Sequence, residues 1–313
     1  MYNTFHKNLY KYREIIKNTL VESVTITSKD VLFSIKDSIS EKNLSQEKQI
    51  IIKGAEDDLR IAPIEILNFR TYENKEIYIT SEIIKKILFK KSVNFFDIGA
   101  NIGFYSLKLY KKFNNYKNKI KIYAFEPVKS TFKYLQENIN LNRIKSFNGS
   151  GIFINNFGFS NEKKTLKLHF NSKNSVNASL KKLTNNQTKL IRCNFLTLDN
   201  FCIKNKIIPD FIKADVEGME LFVVRGAKEL IKKQKPVFFL EILNKFCKKY
   251  NYSPNLIFNF FYQNDYSAYT FAFNKKGILG IKRFTTMTQK TTDTNFLFLS
   301  NTKHKTIKDS ILF

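Results

Sequence analysis

From about residue 80 onward, apolar residues alternate between a helical rhythm and short continuous runs. Ile83, Ile84, Ile87 and Leu88 form a one-faced helical pattern for which Ser81 is placed as N-cap. Val93-Asn94-Phe95-Phe96-Asp97 then reads as a buried strand ending in an acid, followed by a glycine turn and a helix from about Ile102 to Phe113. Ile120 to Phe125 is a second strand, ending in Glu126-Pro127, and Phe132, Leu135 and Ile139 set the next helical face. Gly151 to Phe157 is a third, Thr165 to Phe170 and Ile191 to Leu196 are added strands, and Asp199 is placed as the cap of a short helix. Pro209 to Ala214 ends in Asp215 and precedes a helix from Met219 to Lys232, while Pro236 to Leu240 ends in Glu241. A helix at 254–263 and strands at 267–273 and 294–299 complete the pattern. Apolar strands alternating with helices specify an α/β fold, a mostly parallel sheet with helices on both faces.

The first 70 residues carry no readable chemistry. Phe5, Leu9, Tyr12, Ile16 and Leu20 recur at helical spacing, and Val31 to Ile35 and Gln49 to Ile52 suggest strands. Residues 1–70 are therefore expected to be an N-terminal extension of unknown role, and 71–313 the main domain. Two polar stretches, Asn171 to Lys189 and Asn274 to Thr292, are long enough to act as lids.

In parallel sheets ligands bind beyond the carboxyl ends of the strands. Four core strands here end in Asp97, Glu126, Asp215 and Glu241, and like charges gathered at one rim repel one another unless a ligand uses them. The turn Asp97-Ile98-Gly99-Ala100-Asn101-Ile102-Gly103 spaces its glycines G-x-x-x-G, not the G-x-G-x-x-G of a dinucleotide phosphate loop. An acid heading the loop favours a cationic ligand without phosphate, and S-adenosylmethionine, with an ammonium and a sulfonium, fits. Gly99 is expected to let the backbone approach the ligand, and Gly103 to let the helix pack on the strand. Glu126, 29 residues after Asp97, stands where an acid can accept both ribose hydroxyls. Asp215, in Lys213-Ala214-Asp215-Val216-Glu217-Gly218, is placed to orient or deprotonate an acceptor hydroxyl.

Composition narrows the field. The 53 Lys+Arg against 27 Asp+Glu give a net charge of +26, but most lysines occur as scattered pairs such as Lys85-Lys86 and Lys232-Lys233. Solvated helix faces account for them, with an anionic glycan, lipid-linked acceptor or acidic membrane surface as the alternative. Cys193, Cys202 and Cys247 form no C-x-x-C pair, and His6, His169 and His304 are scattered, so neither a zinc site nor histidine catalysis is supported. No apolar run reaches the roughly 18 residues of a membrane span, and Met1 to Lys7 is not the start of a secretion signal. A soluble, cytoplasmic protein is expected.

From about Thr71 to Ser300, roughly three quarters of the chain, the sequence resembles the FkbM family of S-adenosylmethionine-dependent methyltransferases. The matching stretches include Tyr72-Glu73, Phe96 to Ser106, Ala124 to Pro127, Asn138 to Asn142, Gly158 to Asn161, Ala178 to Leu180, Thr197 to Asp199, Ile212 to Glu220, Gly226-Ala227 and Pro236 to Ile242. The resemblance implies a Rossmann-like methyltransferase fold with a seven-stranded sheet. It also implies S-adenosylmethionine as cofactor and methyl transfer to a hydroxyl oxygen, commonly on a sugar or polyketide. By it, Asp97, Gly99, Ala100, Asn101, Gly103, Glu126 and Pro127 would hold the cofactor, and Asp215, Glu217 and Glu241 would lie at the reaction centre. The expected partner is a saccharide or another hydroxyl-bearing acceptor, small or lipid-linked. No motif specific for Mg²⁺ is visible, and a metal requirement is left open. A nucleic-acid methyltransferase would use the basic charge, but the Asn/Asp-Pro-Pro-aromatic turn of amino-directed enzymes is missing after the fourth strand. A binding module with the same fold, and a dehydrogenase disfavoured by the loop spacing, are the other readings.

Overall fold

The strands expected at residues 93–97, 120–125, 151–157, 209–214 and 236–240 pair in parallel to form the centre of the molecule. The computed structural model describes residues 2–37, 49–54, 62–113, 116, 119–146, 150–171 and 188–312. In chain order the elements begin with α1 (Tyr2–Lys17), β1 (Val21–Ile26), β2 (Val31–Ile35), β3 (Ile50–Lys53), α2 (Ala62–Phe69) and α3 (Asn74–Leu88). The alternating region runs β4 (Val93–Ile98), α4 (Phe104–Lys112), β5 (Ile120–Phe125), α5 (Lys129–Leu141) and β6 (Gly151–Asn155). Then come β7 (Gly158–Phe159), β8 (Lys164–Phe170), β9 (Lys189–Leu196), α6 (Leu198–Asn205), β10 (Phe211–Ala214), α7 (Glu220–Arg225), β11 (Val237–Glu241) and α8 (Asn244–Lys249). The last elements are α9 (Asn255–Tyr262), β12 (Tyr266–Phe273), β13 (Leu279–Phe284), β14 (Asn295–Ser300) and α10 (Lys305–Ile311).

The main sheet has eight strands in the order β13-β12-β14-β11-β10-β4-β5-β6. The five from β11 to β6 are parallel; β14 runs antiparallel to β11, and β12 and β13 continue antiparallel beyond it. Alternate residues of β4 feed opposite sides: Val93 and Phe95 join one apolar core, Phe96 and Ile98 the other. Burial on both faces is why these strands read as nearly unbroken apolar runs.

The eighth strand replaces one of the two expected lids. Within Asn274 to Thr292, the Asn274 Oδ1 accepts the N–H groups of Lys276 and Ile278, Gly277 takes φ +73°, and the chain turns back as β13. Ile281 is fully buried there, so an apolar run hidden behind Lys275-Lys276-Gly277 completes a hairpin with β12. Most of the other expected lid, residues 172–187, lies outside the described residues. The added strands β8 and β9 form a separate three-stranded sheet with β7. It is fixed to the main sheet by rings: Phe125 and Phe159 meet edge to face at 4.7 Å, and Phe201 at 5.3 Å from Phe125.

Three local expectations change. Ser81 lies within α3, donating to Ile77 O, and the helix begins at Asn74 because residues 74–80 continue its buried face. Thr197, not Asp199, caps α6; the Asp199 carboxylate instead accepts the N–H groups of Glu229 and Leu230, across a bend at Gly226 that ends α7 at Arg225. A Cβ at Gly226 would stand 2.1 Å from the carbonyl oxygen of Ser160, so the bend needs a glycine there; the helix expected from Met219 to Lys232 is split at this bend and resumes as a π-helix at Leu230–Gln234.

Described residues between Leu20 and Ile52 share the core of the main sheet. Leu20, Val21, Phe33, Ile35, Ile50 and Ile52 are buried in the same cluster as Phe95 and Ile122. Strands β1, β2 and β3 form an antiparallel sheet against α4 and α5. Among the described residues no helix is long and apolar enough to cross a membrane.

Candidate active site

At the carboxyl ends of β4, β5, β10 and β11 lies a cavity of about 470 Å³. All four strand-end acids, Asp97, Glu126, Asp215 and Glu241, line it, as do Gly99, Ala100, Asn101, Pro127 and Glu217. Gly103 does not reach it. At φ +88° its missing side chain makes room for Leu135 of α5, 2.5 Å from where a Cβ would stand, so the tight packing is helix against helix, not helix against strand. Gly99, at φ +80°, lies against the chain itself: a Cβ there would sit 1.9 Å from the carbonyl oxygen of Asp215. Its glycine locks the first loop to the fourth-strand loop, where a close approach to ligand was expected.

The cavity has two chemical halves. One is lined by Pro127, Gly158, Phe159, Leu168 and Phe195, with Glu126 beside them. Glu126 is almost wholly buried; its Oε2 accepts the Asn101 N–H at 3.1 Å and its Oε1 the Val128 N–H at 2.9 Å. It thus ties the glycine loop to the start of α5, and each oxygen keeps acceptor capacity for a hydroxyl. Burial pushes its carboxyl up to about 7. Asn101 holds the left-handed conformation at φ +50°, and its Oδ1 is buried without a partner.

The other half is charged. Asp97 is fully buried; its Oδ2 accepts a 2.6 Å bond from the Ser106 hydroxyl, while Oδ1 has no hydrogen-bond partner. Burial raises the Asp97 carboxyl, opposed by Lys213. Lys213 Nζ is 3.7 Å from Asp215 Oδ2 and 3.9 Å from both Asp97 Oδ1 and Glu73 Oε1. Glu73 opens α3 in the left-handed conformation, φ +52°, and burial pushes its carboxyl up to about 8 against the pull of Lys213. Glu241 is held well above the carboxylate range by burial and by Asp215, with which it shares a hydrogen bond. Glu217, at φ +54°, buries its Oε2 without a partner, and burial together with Asp215 raises it strongly.

Several residues here carry roles that the motifs alone did not suggest. Glu220, 2% exposed, shapes the fourth-strand loop: its Oε1 accepts the N–H groups of Val216 and Gly218, and the Tyr252 hydroxyl donates to Gly218 O. Glu65 and Glu76 extend the acidic wall, Glu76 accepting from Asn295 Nδ2 at 3.0 Å. Tyr105 stacks on Phe95 and donates to Thr80. The signal for Lys213 was present: a lysine inside Phe211-Ile212-Lys213-Ala214, an otherwise apolar buried strand, must be paired. The three cysteines are buried and free. Among the described residues no group of three or more His, Cys, Asp and Glu side chains is arranged to hold a metal ion.

A family model described as the methyltransferase FkbM domain matches residues 97–267, more than half of the chain. The chain belongs to the FkbM methyltransferase family. Among solved structures, an FkbM methyltransferase from Methylobacillus flagellatus KT is 19% identical, with 66% of this chain covering 43% of that one and a TM-score of 0.41. The present chain therefore spans less than half the length of that protein. A SAM-dependent methyltransferase from Agrobacterium tumefaciens is 7% identical, covering 88% of this chain and 71% of its own, with a TM-score of 0.43. The magnesium protoporphyrin IX methyltransferase of Synechocystis PCC 6803, solved with bound SAM, is 10% identical over 73% of this chain and 79% of its own, TM-score 0.36. No curated protein matches the chain.

The cavity of this FkbM-family chain has chemistry that S-adenosylmethionine would fit. An apolar half with one carboxylate suits an adenosine, and a charged half with orphaned acceptor oxygens at Asp97 and Glu217 suits a cationic amino-acid end.

Proposed function

We propose that the enzyme methylates a hydroxyl oxygen of a saccharide or similar polyol, and that the acceptor bears no anionic group near that hydroxyl. The observation that carries this reading is the acidic wall: Glu65, Glu73, Glu76, Asp215, Glu217 and Glu241 surround the charged half, with Lys213 as its buried cation. Carboxyl groups accept hydrogen bonds from hydroxyls, and those that burial keeps protonated also donate them, so the wall suits a polyol while offering an anion no buried cation beyond Lys213. A nucleic-acid acceptor fits such a wall poorly.

In this reading Asp97, Gly99, Ala100, Asn101, Glu126 and Pro127 hold the cofactor, with Gly103 supporting the loop from behind. When bound, the cofactor supplies an electrophilic sulfonium methyl. Asp215 would hold the acceptor hydroxyl and take up its proton, because an aliphatic hydroxyl is far too weak an acid to ionise alone near neutrality. Glu241, protonated and hydrogen-bonded to Asp215, orients that carboxylate, and Glu217 receives a further donor of the acceptor. Alignment of the reacting atoms contributes most, about 7 kcal/mol or more in favourable cases.

The test is a panel of matched acceptors, neutral, amino-bearing, phosphorylated and carboxylated versions of one hexose, incubated with cofactor and scored by the mass gain of one methylene. Neutral or amino-bearing sugars should react and the anionic ones should not; preference for the phosphorylated sugar would sink the proposal. Asp215→Asn should lower turnover by about 10²- to 10⁴-fold while S-adenosylhomocysteine affinity stays within a few-fold.

A further inference from the structure

One side chain in the charged half has a position that no hydrogen bond explains. Lys213 sits within β10, and its Cα is paired directly with that of Asp97 on β4. Only 6% of its side chain is exposed. Its Nζ lies 3.7 to 3.9 Å from three carboxylates, close enough to balance their charge but beyond hydrogen-bond reach, and 4.9 Å from the centroid of the Tyr105 ring. Among the described residues it meets no hydrogen-bond acceptor. An ammonium carries three N–H donors, and this one lines the cavity with none of them used by a described residue, so it is placed to meet a ligand oxygen.

Next to it stands the complementary group. Asp97 Oδ1, 3.9 Å from Lys213 Nζ, is a fully buried acceptor without a donor, while Ser106 occupies the other oxygen of the same carboxylate. A cationic donor and an anionic acceptor side by side are the counterpart of a zwitterion: an α-amino acid group offers its carboxylate to the first and its ammonium to the second. Glu73, at the start of α3, and Asp215, at the end of the lysine's own strand, flank it and hold it over this point. Glu73 does so from a left-handed backbone conformation that side chains rarely adopt.

We propose that Lys213 is a further cofactor-binding residue, donating to the α-carboxylate of the amino-acid end of S-adenosylmethionine while Asp97 accepts from the adjacent ammonium. The inference rests on the reading of this cavity as the cofactor site. Glu73 is then a positioning residue, acting through Lys213.

Calorimetric titration with two ligands tests it: S-adenosylhomocysteine, which keeps the amino-acid end, and 5′-methylthioadenosine, which lacks it. In Lys213→Met the first should bind about 10- to 100-fold more weakly, the loss of a charge-assisted hydrogen bond, and the second within about 2-fold of the wild type. Retained binding of 5′-methylthioadenosine also reports that the variant is folded. Should Lys213→Met not fold, the double variant Lys213→Met/Glu73→Gln, which removes one buried carboxylate together with the lysine, takes its place with the same expectation. Equal losses for both ligands, or an unchanged affinity for S-adenosylhomocysteine, would overturn the assignment. Failure of the wild type to bind either ligand would overturn the reading of the cavity, and the inference with it.

Discussion

Buried carboxyl groups dominate the chemistry at the residue scale, and they give the ligand-free protein a pH dependence opposite in sign to that of ion-paired carboxylates. Burial pushes Glu126 and Glu220 up to about 7 and Glu73 up to about 8, from an ordinary value of 4.5. Between those limits the folded protein keeps protons that the unfolded chain has released. Their contribution to stability is therefore complete below the unfolded value and is lost as pH rises through the folded ones. His304, lowered by burial to about 3 from 6.5, acts in the opposite direction, but only up to the unfolded value. The clean window is thus pH ~6.5 to ~8, across which the thermal midpoint should fall, with Glu73→Gln flattening the upper part. A midpoint that rises through this window would mean that these acids are ionised in the folded state. Gly99 offers a second residue-scale prediction. Gly99→Ala meets both the left-handed backbone penalty and the Asp215 carbonyl, so it should cost at least about 2 kcal/mol in urea denaturation and abolish binding of S-adenosylhomocysteine.

Two asparagines one helical turn apart show how elements are joined. On α5, Asn138 accepts the Lys53 N–H through Oδ1 and donates through Nδ2 to Ile102 O in the glycine loop. Asn142 accepts from Ile51 N and donates to Ile51 O. Side-chain amides thus take the place of a fourth strand along the free edge of β3, and the same helix supports the cofactor loop. Asn138→Ala/Asn142→Ala leaves backbone groups of β3 and the loop unpaired, at about 1–3 kcal/mol for each buried group. The double variant should be destabilised accordingly, with amide exchange in residues 21–53 accelerated first; uniform exchange at all sites would instead place the loss in the central sheet. This joint was invisible from sequence, although Asn138 to Asn142 stood out as a matching stretch, because an i, i+4 pair of amides has no meaning until its partner strand is known. The central strands were legible because their apolar runs and terminal acids are local features. Glu220 and the asparagines were not, since each acquires its role from a residue brought alongside by topology; for Lys213 the sequence showed a lysine in an apolar strand but not the partners it meets. The edge strand β13 was missed for a related reason: its short apolar run follows two lysines and a glycine, the composition of a loop.

At the scale of the whole molecule, charge is segregated by sign. The chain carries +26, yet its cavity is lined by eight carboxylates against two lysines, Lys213 and Lys245, so the rest of the molecule bears a still larger positive excess. Exposed like charges destabilise the compact state through mutual repulsion, which salt relieves as the screening length shrinks from about 30 Å at 0.01 M to about 3 Å at 1 M. Salt also weakens exposed ion pairs, but those are worth about 0–1 kcal/mol each. Partly buried pairs such as Lys53 with Asp30 and Glu137, and Lys91 with Asp210, are screened less. Repulsion should therefore win: the thermal midpoint should rise steadily with added NaCl. The cavity should behave differently. Asp97, Lys213 and Glu126 are buried, so affinity for S-adenosylhomocysteine should change by less than about 3-fold over the same range. A midpoint that falls with salt would show that ion pairs outweigh the surface repulsion. A cofactor affinity that falls steeply would show that the positive exterior, and not the acidic cavity, governs how the ligand is held.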